Sequence, residues 1–355
     1  MTLLDRYIVR SILGSVLLSM VVFLILGALF VFIDQQDDIG VGHYTAVEAL
    51  WYTLLNLPQQ AFELLPITVL IGSLLGLGSL ARGSELTVIR TTGVSVMRLA
   101  RAALIAGLLL IGLEVLLGEF LAPPLQVAAR EQKAFAKYTN ISFGGGGGAW
   151  VRDGNLILNV ARQSGQRQFG SMHIFELSSD HRLVALGHAV NAMVGADKKW
   201  LLGDYTESRF TDDSVVAKPP GQRILQSNVT AGFLGIASQN PQQLTSRALW
   251  QLIEYSRTNS LDASQYLFAF WSRIARTVAI AFAVLLAIPF VLGPLRSSGA
   301  GTRTMMGLLL GICFFLLQRL IESGTIVFAL NPLVLAWIPT ASLAMVTILL
   351  LARTR

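Results

Sequence analysis

The run from Ser11 to Ile33 carries no charged residue. A helix of about 20 apolar residues crosses the roughly 30 Å hydrocarbon core of a bilayer, so this run alone restricts what the chain can become. It is too long for a signal-peptide core, has no small-residue cleavage site close behind, and is followed by further apolar runs, so it is read as a retained first span. Leu64 to Ala81, extended back toward Trp51, gives a second, and Ala102 to Ala122 a third, interrupted by Glu114 and Glu119. Thr277 to Leu295, entered from about Gln265, is a fourth. The stretch from Ser323 to Ala352 is too long for one crossing, and Asn331-Pro332 inside it is a turn signal. Splitting there gives a fifth span from about Thr304 to Ala329 and a sixth from Leu333 to Ala352. Only 14% of the chain is charged and 53% is hydrophobic, against roughly 25% charged in an ordinary soluble domain.

Lys and Arg in short connections resist translocation and so set the direction. Arg6, Arg10, Arg82, Arg90, Arg98, Arg101, Arg296, Arg303, Arg353 and Arg355 all fall on one side, whereas residues 34–63 hold five carboxylates and no Lys or Arg. Both termini are therefore expected in the cytoplasm and residues 123–264 outside it. The net charge of +6 flanks apolar runs instead of forming a basic face, which argues against nucleic acid. Cys313 is alone, so the external segment must hold together by packing.

That segment changes texture at Pro123-Pro124 and again at Gly144–Gly148, which read as a flexible turn. Between them Arg130, Lys133 and Lys137 keep helical spacing, so the third helix is expected to run on beyond the bilayer. Short alternating runs follow: Asn155–Ala161, Met172–Leu177, Leu183–Val194, Lys199–Phe210, Asp213–Val216 and Arg223–Thr230. They have the length and punctuation of antiparallel strands, and a small β-sandwich or jelly-roll-like domain is expected. Residues from Asn240 to Leu261 read as a polar helical connector. The expected organisation is 1–122 for helices one to three, 123–238 for the helix extension and β-domain, 239–264 for the connector and 265–355 for helices four to six. The fold class is thus an α-helical polytopic membrane protein, three helices plus three, with an inserted periplasmic β-jelly-roll-like domain.

No Gly is followed four residues on by Gly-Lys-Ser or Gly-Lys-Thr, so the chain has no phosphate-binding loop of its own. The four histidines show no ligand spacing beside carboxylates, and no metal site is expected. In the connection between helices two and three, Ser84 caps a helix on which Leu86, Ile89, Gly93 and Val96 share a face while Glu85 and Arg90 stay polar. Residues 84–98 then form either an interfacial helix lying on lipid or a coupling helix for an ATPase.

Leu4-Asp5-Arg6-Tyr7-Ile8, the stretch from Leu65-Pro66-Ile67 through Leu70-Ile71-Gly72 to Leu75-Gly76-Leu77-Gly78, Ser84-Glu85-Leu86 with Gly93, and Gly293-Pro294-Leu295-Arg296 together resemble the LptF/LptG permease family, the G type more closely. The resemblance covers nearly the whole chain. It implies a non-catalytic subunit of an ABC transporter that takes lipopolysaccharide from the periplasmic leaflet of the bacterial inner membrane. It further implies a sister permease (LptF-like), a cytoplasmic ATPase dimer (LptB-like) that binds ATP and Mg, and a periplasmic bridge (LptC-like and LptA-like). The segment with Glu85, Leu86, Ile89, Arg90 and Gly93 would be its coupling helix. The family tends to place basic residues at the outer end of helix one, where this chain has Val31, Gln36, Asp37 and Asp38. Phosphate contacts are therefore expected from Arg130, Lys133, Lys137, Arg273 and Arg276.

Phe30, Phe32, Phe314 and Phe315 face lipid, neighbouring helices or the substrate's acyl chains. Arg319 and Glu322 are three apart and are expected to pair inside the membrane. Glu114 and Glu119 are expected to face water near the outer end. Gly72 with Gly76, and Gly307 with Gly311, have the spacing that lets helices approach closely. A lipoprotein-releasing ABC permease is the nearest alternative, but its external domain follows the first helix, not the third. A membrane-embedded lipid-modifying enzyme would want a cluster of polar catalytic residues at one interface, which the sequence lacks.

Overall fold

The computed structural model describes residues 3–137, 141–142, 149–163, 168–178, 180, 182–194, 199–211, 214–226, 240–292, 300–324 and 331–353. The expected glycine turn at 144–148 and the Gly293-Pro294-Leu295-Arg296 motif lie outside them. Three helical columns precede the β-domain: α1 (Leu3–Asp34), α2 (Ala46–Arg82) with the short α3 (Glu85–Thr91) behind it, and α4 (Val96–Val115), which continues through a π-helical turn (Leu116–Leu121) into α5 (Ala122–Lys137). After the β-domain come α6 (Ser246–Thr258), α7 (Ser264–Leu292), α8 (Ala300–Gly324) and α9 (Pro332–Arg353). Leu3–Asp38, Ala46–Arg82, Val96–Lys133, Ser264–Leu292 and Pro332–Arg353 are each long and apolar enough to cross a membrane. The expected fifth crossing corresponds to α8, which has 25 residues and a shorter apolar part, Leu309–Ile321. The chain is a polytopic helical membrane protein with an inserted β-domain.

The helix bundle is organised around α2, which packs against α1, α5, α7 and α8. Its middle is built of small residues, and α1 lies directly on them. A Cβ at Gly72 would stand 2.4 Å from Val16 Cα, and one at Gly76 would stand 2.7 Å from the Ser11 carbonyl oxygen. Ser11 Oγ donates to the Gly76 carbonyl at 3.0 Å, a polar contact that only such an approach permits. In lipid there is no hydrophobic force pressing helices together, so this backbone proximity is what holds the pair.

The π-helical turn has a cause in the sequence. Pro123 and Pro124 lack amide hydrogens, and their rings crowd the carbonyls of Glu119 and Phe120 four residues back. A wider turn there lets the helix continue instead of breaking. Helix three thus extends through both prolines to Lys137, as its charge spacing implied.

The β-domain is one antiparallel sheet. Its strands are β1 (Ile141–Ser142), β2 (Ala149–Asp153), β3 (Leu156–Gln163), β4 (Gln168–Leu177), β5 (Leu183–Val194), β6 (Lys199–Phe210) and β7 (Val215–Gln226). From β3 to β7 the strands pair in chain order, with β1 and β2 both on β3, and this antiparallel sheet is the β-domain expected between the two sets of helices. The β2–β3 hairpin turns on Gly154, at φ +61°, as a two-residue loop requires. One face of the sheet buries Leu158, Val160, Phe169, Met172, Trp200 and Leu202. The two runs expected at Asp213–Val216 and from Arg223 are ends of a single β7. Its Pro219 and Pro220 are tolerated because β7 is an edge strand among the described residues and its register with β6 slips between Tyr205 and Glu207, where a missing ladder donor costs least. Residues 227–230 lie outside the described residues.

Glu207 on β6 is 3% exposed and faces three cations: Arg223 Nη1 at 2.7 Å, Lys218 Nζ at 3.1 Å and Arg209 Nε at 3.2 Å. Burial raises its pKa, but hydrogen bonds from Lys218 and Arg209 and the charge of Arg223 outweigh burial and hold the carboxyl below its ordinary value of 4.5.

Two consequences are testable. Gly72→Leu should separate α1 from α2 and lower the thermal midpoint of the detergent-solubilised chain by an amount matching about 1–3 kcal/mol of overpacking, whereas Gly14→Ala, where a Cβ meets nothing within 4 Å, should leave it unchanged. The depressed pKa of Glu207 makes its contribution full above the unfolded carboxyl value and lost as pH falls below 4.5 through the lower folded value. Amide exchange protection in β6 and β7 should therefore decline on acidification below that pH. Glu207→Gln should cost about 1–3 kcal/mol at neutral pH and flatten the acid dependence.

Candidate functional site

The densest polar constellation in the bundle lies where α7 crosses the π-helical turn. Arg273 on α7 is 9% exposed, and its guanidinium donates to the Leu244 carbonyl at 2.5 Å and the Gly118 carbonyl at 3.0 Å. It also pairs with Glu119 at 3.2 Å. Glu119 in turn accepts from the backbone amide of Ser246 at 3.0 Å and from its hydroxyl at 2.5 Å, which ties the start of α6 to the same point. Arg273 was expected among the phosphate contacts. It is instead enclosed, with its donors committed to two carbonyls and a carboxylate of its own chain. Glu119, expected to face water, is the partner that makes this possible.

One helical turn further on, Arg276 is set differently. Both guanidinium groups stand over the Phe62 ring, Arg273 at 5.0 Å and Arg276 at 5.4 Å. Phe62 can lie there because residue 118 is glycine: a Cβ at Gly118 would meet the ring at 2.5 Å. With the Gln318 amide turned to present its oxygen, Arg276 donates to it at 2.7 and 2.9 Å, joining α7 to α8. Arg276 then borders a polar cavity of about 350 Å³ together with Glu63, Gln243, Gln318 and Arg319. Asn240 and Gln242, from the connector that leaves the β-domain, close its rim. Gln243 Oε1 is buried and without a hydrogen-bond partner, and Glu63 accepts from Gln59 at 2.7 Å. Two guanidinium groups, one carboxylate and several amides make a cavity suited to an anionic, oxygen-rich group.

Below this cavity Glu114 is fully buried, and neither carboxylate oxygen has a hydrogen-bond partner. The expectation that it faces water is overturned, because its side of α4 is turned into the bundle. Phe314 borders a small space beside Arg276 and Gln318. Phe30 is exposed at the end of α1 and Phe32 half-buried. The side chains of Phe315, Glu322 and Lys137 lie outside the described residues, so the expected Arg319–Glu322 pair does too.

At the base of the β-domain, Lys133 Nζ meets Asp38 at 2.6 Å and Gln35 Oε1 at 2.5 Å, and stands 5.0 Å from the Tyr52 ring. Its charge is thus engaged by the acidic turn after α1. Arg130, one turn earlier on α5, is half-buried. Tyr44 packs beside them with its hydroxyl pushed up to about 12, chiefly by burial.

At the opposite end of the bundle α3 spans Glu85–Thr91, shorter than the expected 84–98. Gly93 ends it at φ +92°, a conformation that costs glycine little, and Ser95 caps the start of α4 by accepting from the Arg98 amide. Glu85 accepts a hydrogen bond from the Tyr7 hydroxyl of α1 at 2.7 Å. Leu86, expected as an outward anchor, is 2% exposed and belongs to the bundle core, whereas Val88 is 59% exposed. Ile89 is half-buried and Arg90 exposed. The helix therefore keeps one apolar residue for its own bundle and presents Val88 and Arg90 outward.

The polar cavity drew residues from four separate segments, and of these the sequence had singled out only Arg276 and Arg319. Glu63, Gln243 and Gln318 carry no motif, and nothing in their local spacing marks them.

The chain is 30% identical over 352 residues to the lipopolysaccharide export system permease protein LptG of Escherichia coli (strain K12), covering 99% of this chain and 98% of that one. It is 28% identical over 353 residues to the protein of the same name from Haemophilus influenzae (strain ATCC 51907 / DSM 11121 / KW20 / Rd), covering 99% of each. The family model described as lipopolysaccharide export system permease LptF/LptG matches residues 6–353, and with a match of that extent the chain belongs to the LptF/LptG permease family.

Proposed function

We propose that this chain is the G-type permease subunit of a lipopolysaccharide exporter in the bacterial inner membrane. It pairs with a sister permease, receives lipopolysaccharide from the periplasmic leaflet and passes it to a periplasmic bridge. The β-domain faces the periplasm and both termini the cytoplasm, in line with the one-sided distribution of arginines. The energy comes from a separate cytoplasmic ATPase dimer that binds ATP and Mg, since this chain has no phosphate-binding loop.

The observation that carries the reading is the cavity beside Arg276. It lies at the β-domain end of the bundle, its rim is formed by the connector, and Arg276 and Arg319 give it the charge to meet a phosphorylated headgroup. The substrate's acyl chains also need an apolar wall. On α1, Leu18, Val22, Ile25 and Leu29 share one exposed face, with Phe30 next to it. Arg273 and Lys133 act in this reading as braces that fix the helices around the cavity, not as phosphate ligands.

A photoreactive amino acid at Arg319 should crosslink to lipopolysaccharide in cells, and the double substitution Arg276→Ala, Arg319→Ala should reduce export by tenfold or more, at about 1.5–3 kcal/mol for each charge-assisted contact. Normal export together with absence of any adduct would remove the phosphate site from this chain. For the cytoplasmic end, α3 is proposed to dock on the ATPase through Glu85, Val88 and Arg90. Glu85→Ala should lower ATPase co-purification about five- to tenfold, consistent with about 1–1.5 kcal/mol for one lost polar contact. Unchanged co-purification and transport would show that α3 rests on lipid instead.

A further inference from the structure

A groove of about 470 Å³ runs along the outside of the bundle between α1 and α4, opening at the end away from the β-domain and reaching inward to the level of Leu65 and Leu113. Its walls are apolar: Leu13 and Leu17 of α1 on one side, Leu110 and Leu113 of α4 on the other, with Leu65 of α2 at the back. The mouth is basic, for Arg6 and Arg10 border it one helical turn apart. Both are exposed, and neither guanidinium makes an ion pair among the described residues. Gly14 sits in the wall between them and Leu17, and a Cβ there would meet nothing within 4 Å. The missing side chain widens the groove where no neighbouring helix needs the room, unlike Gly72 and Gly76, which the α1–α2 contact requires.

The dimensions point to one class of occupant. From Arg6 to Met20, the last lining residue on α1, the helix rises about 21 Å at 1.5 Å per residue. One leaflet with its headgroup layer is about 20–22 Å deep. A slot of leaflet depth, apolar along its length and doubly cationic at the headgroup level, matches a lipid whose phosphate is its net charge.

We propose that this groove holds one anionic phospholipid of the leaflet on the N-terminal side, with its phosphate on Arg6 and Arg10 and an acyl chain between α1 and α4. Its lining shares no residue with the transport cavity, and its cationic mouth lies at the other end of the bundle. Only the naming of the leaflet as cytoplasmic rests on the orientation proposed above. Lipid binding is measured in detergent without reference to leaflet or transport, so failure here and failure of the export reading are distinguishable.

The test uses the full-length chain, purified in mild detergent with whatever subunits accompany it, and native mass spectrometry with added phosphatidylglycerol or phosphatidylcholine of the same acyl chains. One phosphatidylglycerol should be retained under activation that strips phosphatidylcholine. Arg6→Ala, Arg10→Ala should lower that retention roughly tenfold or more, and Arg6→Lys, Arg10→Lys should restore most of it. Gly14→Leu and Leu113→Trp, which fill the groove from its two sides and keep both arginines, should lose the lipid while their lipid-free thermal midpoints stay unchanged. Equal retention of the two lipids, retention undiminished by both groove-filling variants, or a photocrosslinker at Leu17 that captures a polypeptide instead of phospholipid would each overturn the assignment.

Discussion

Arg273 stands where two stretches of backbone leave regular helical hydrogen bonding within reach of hydrocarbon. The π-helical turn frees the Gly118 carbonyl, the connector brings the Leu244 carbonyl to the same depth, and each accepts from this one guanidinium. An unsatisfied carbonyl in the bilayer costs several kcal/mol, and an unpaired guanidinium costs more. Glu119 completes the arrangement and carries it outward, because its second role is to receive the amide and hydroxyl of Ser246. Ser246 begins α6, and α6 holds the β2–β3 hairpin through Tyr255, whose hydroxyl accepts from the Arg152 amide at 2.7 Å, and through Asn259, which accepts from the Gly154 amide at 3.3 Å. A chain of polar contacts therefore runs from the β-domain end of the bundle to the sheet. Movement of α7 against the π turn would be transmitted to the β-domain along it.

The packing of α2 among other helices lets it contain Pro58 and Pro66. Each proline leaves a carbonyl without its helical donor, and burial among other helices is the condition under which a membrane tolerates that. The outer helix α1 has no such demand. It needs only the close approach at Gly72 and Gly76, which leaves one side of it exposed along its length. One helix thus offers an apolar face toward the β-domain end and a grooved, basic face toward the other, and the proposed roles divide along that length.

The spans were legible because absence of charge over a bilayer's width is a property of the sequence itself, and α1, α2, α7 and α9 lie where such runs occur. Strands β5 and β6 were legible for a related reason, since their alternation of buried and exposed positions is written residue by residue. What periodicity does not carry is the azimuth of a helix about its own axis. Glu114 was read as water-facing and is fully buried, and Leu86 was read as outward and lies in the core. Both errors have the same form: the spacing identified a face, and only the packing of distant helices decides which way the face turns. Pairing across the chain is equally silent. Asp38 looked like a departure from the family's basic pattern, and its reason appears only when α5 passes beside the end of α1 and sets Lys133 at 2.6 Å from it.

That pair bears on how the proposed substrate site distributes its charge. An acidic turn at the end of α1 repels phosphate if it stands alone. With Lys133 against Asp38 and Tyr52 beneath the ammonium, one of the carboxylates of that turn is neutralised and the lysine is no longer available to a ligand. The cationic contribution of this chain is then left to the other side of α2, where Arg276 lies one turn from Arg273 on α7 and Arg319 joins it from α8. Of the two α7 arginines only the one not consumed by backbone carbonyls reaches the cavity. In the proposed function, a substrate carrying several phosphates would therefore meet this subunit on its α7–α8 side.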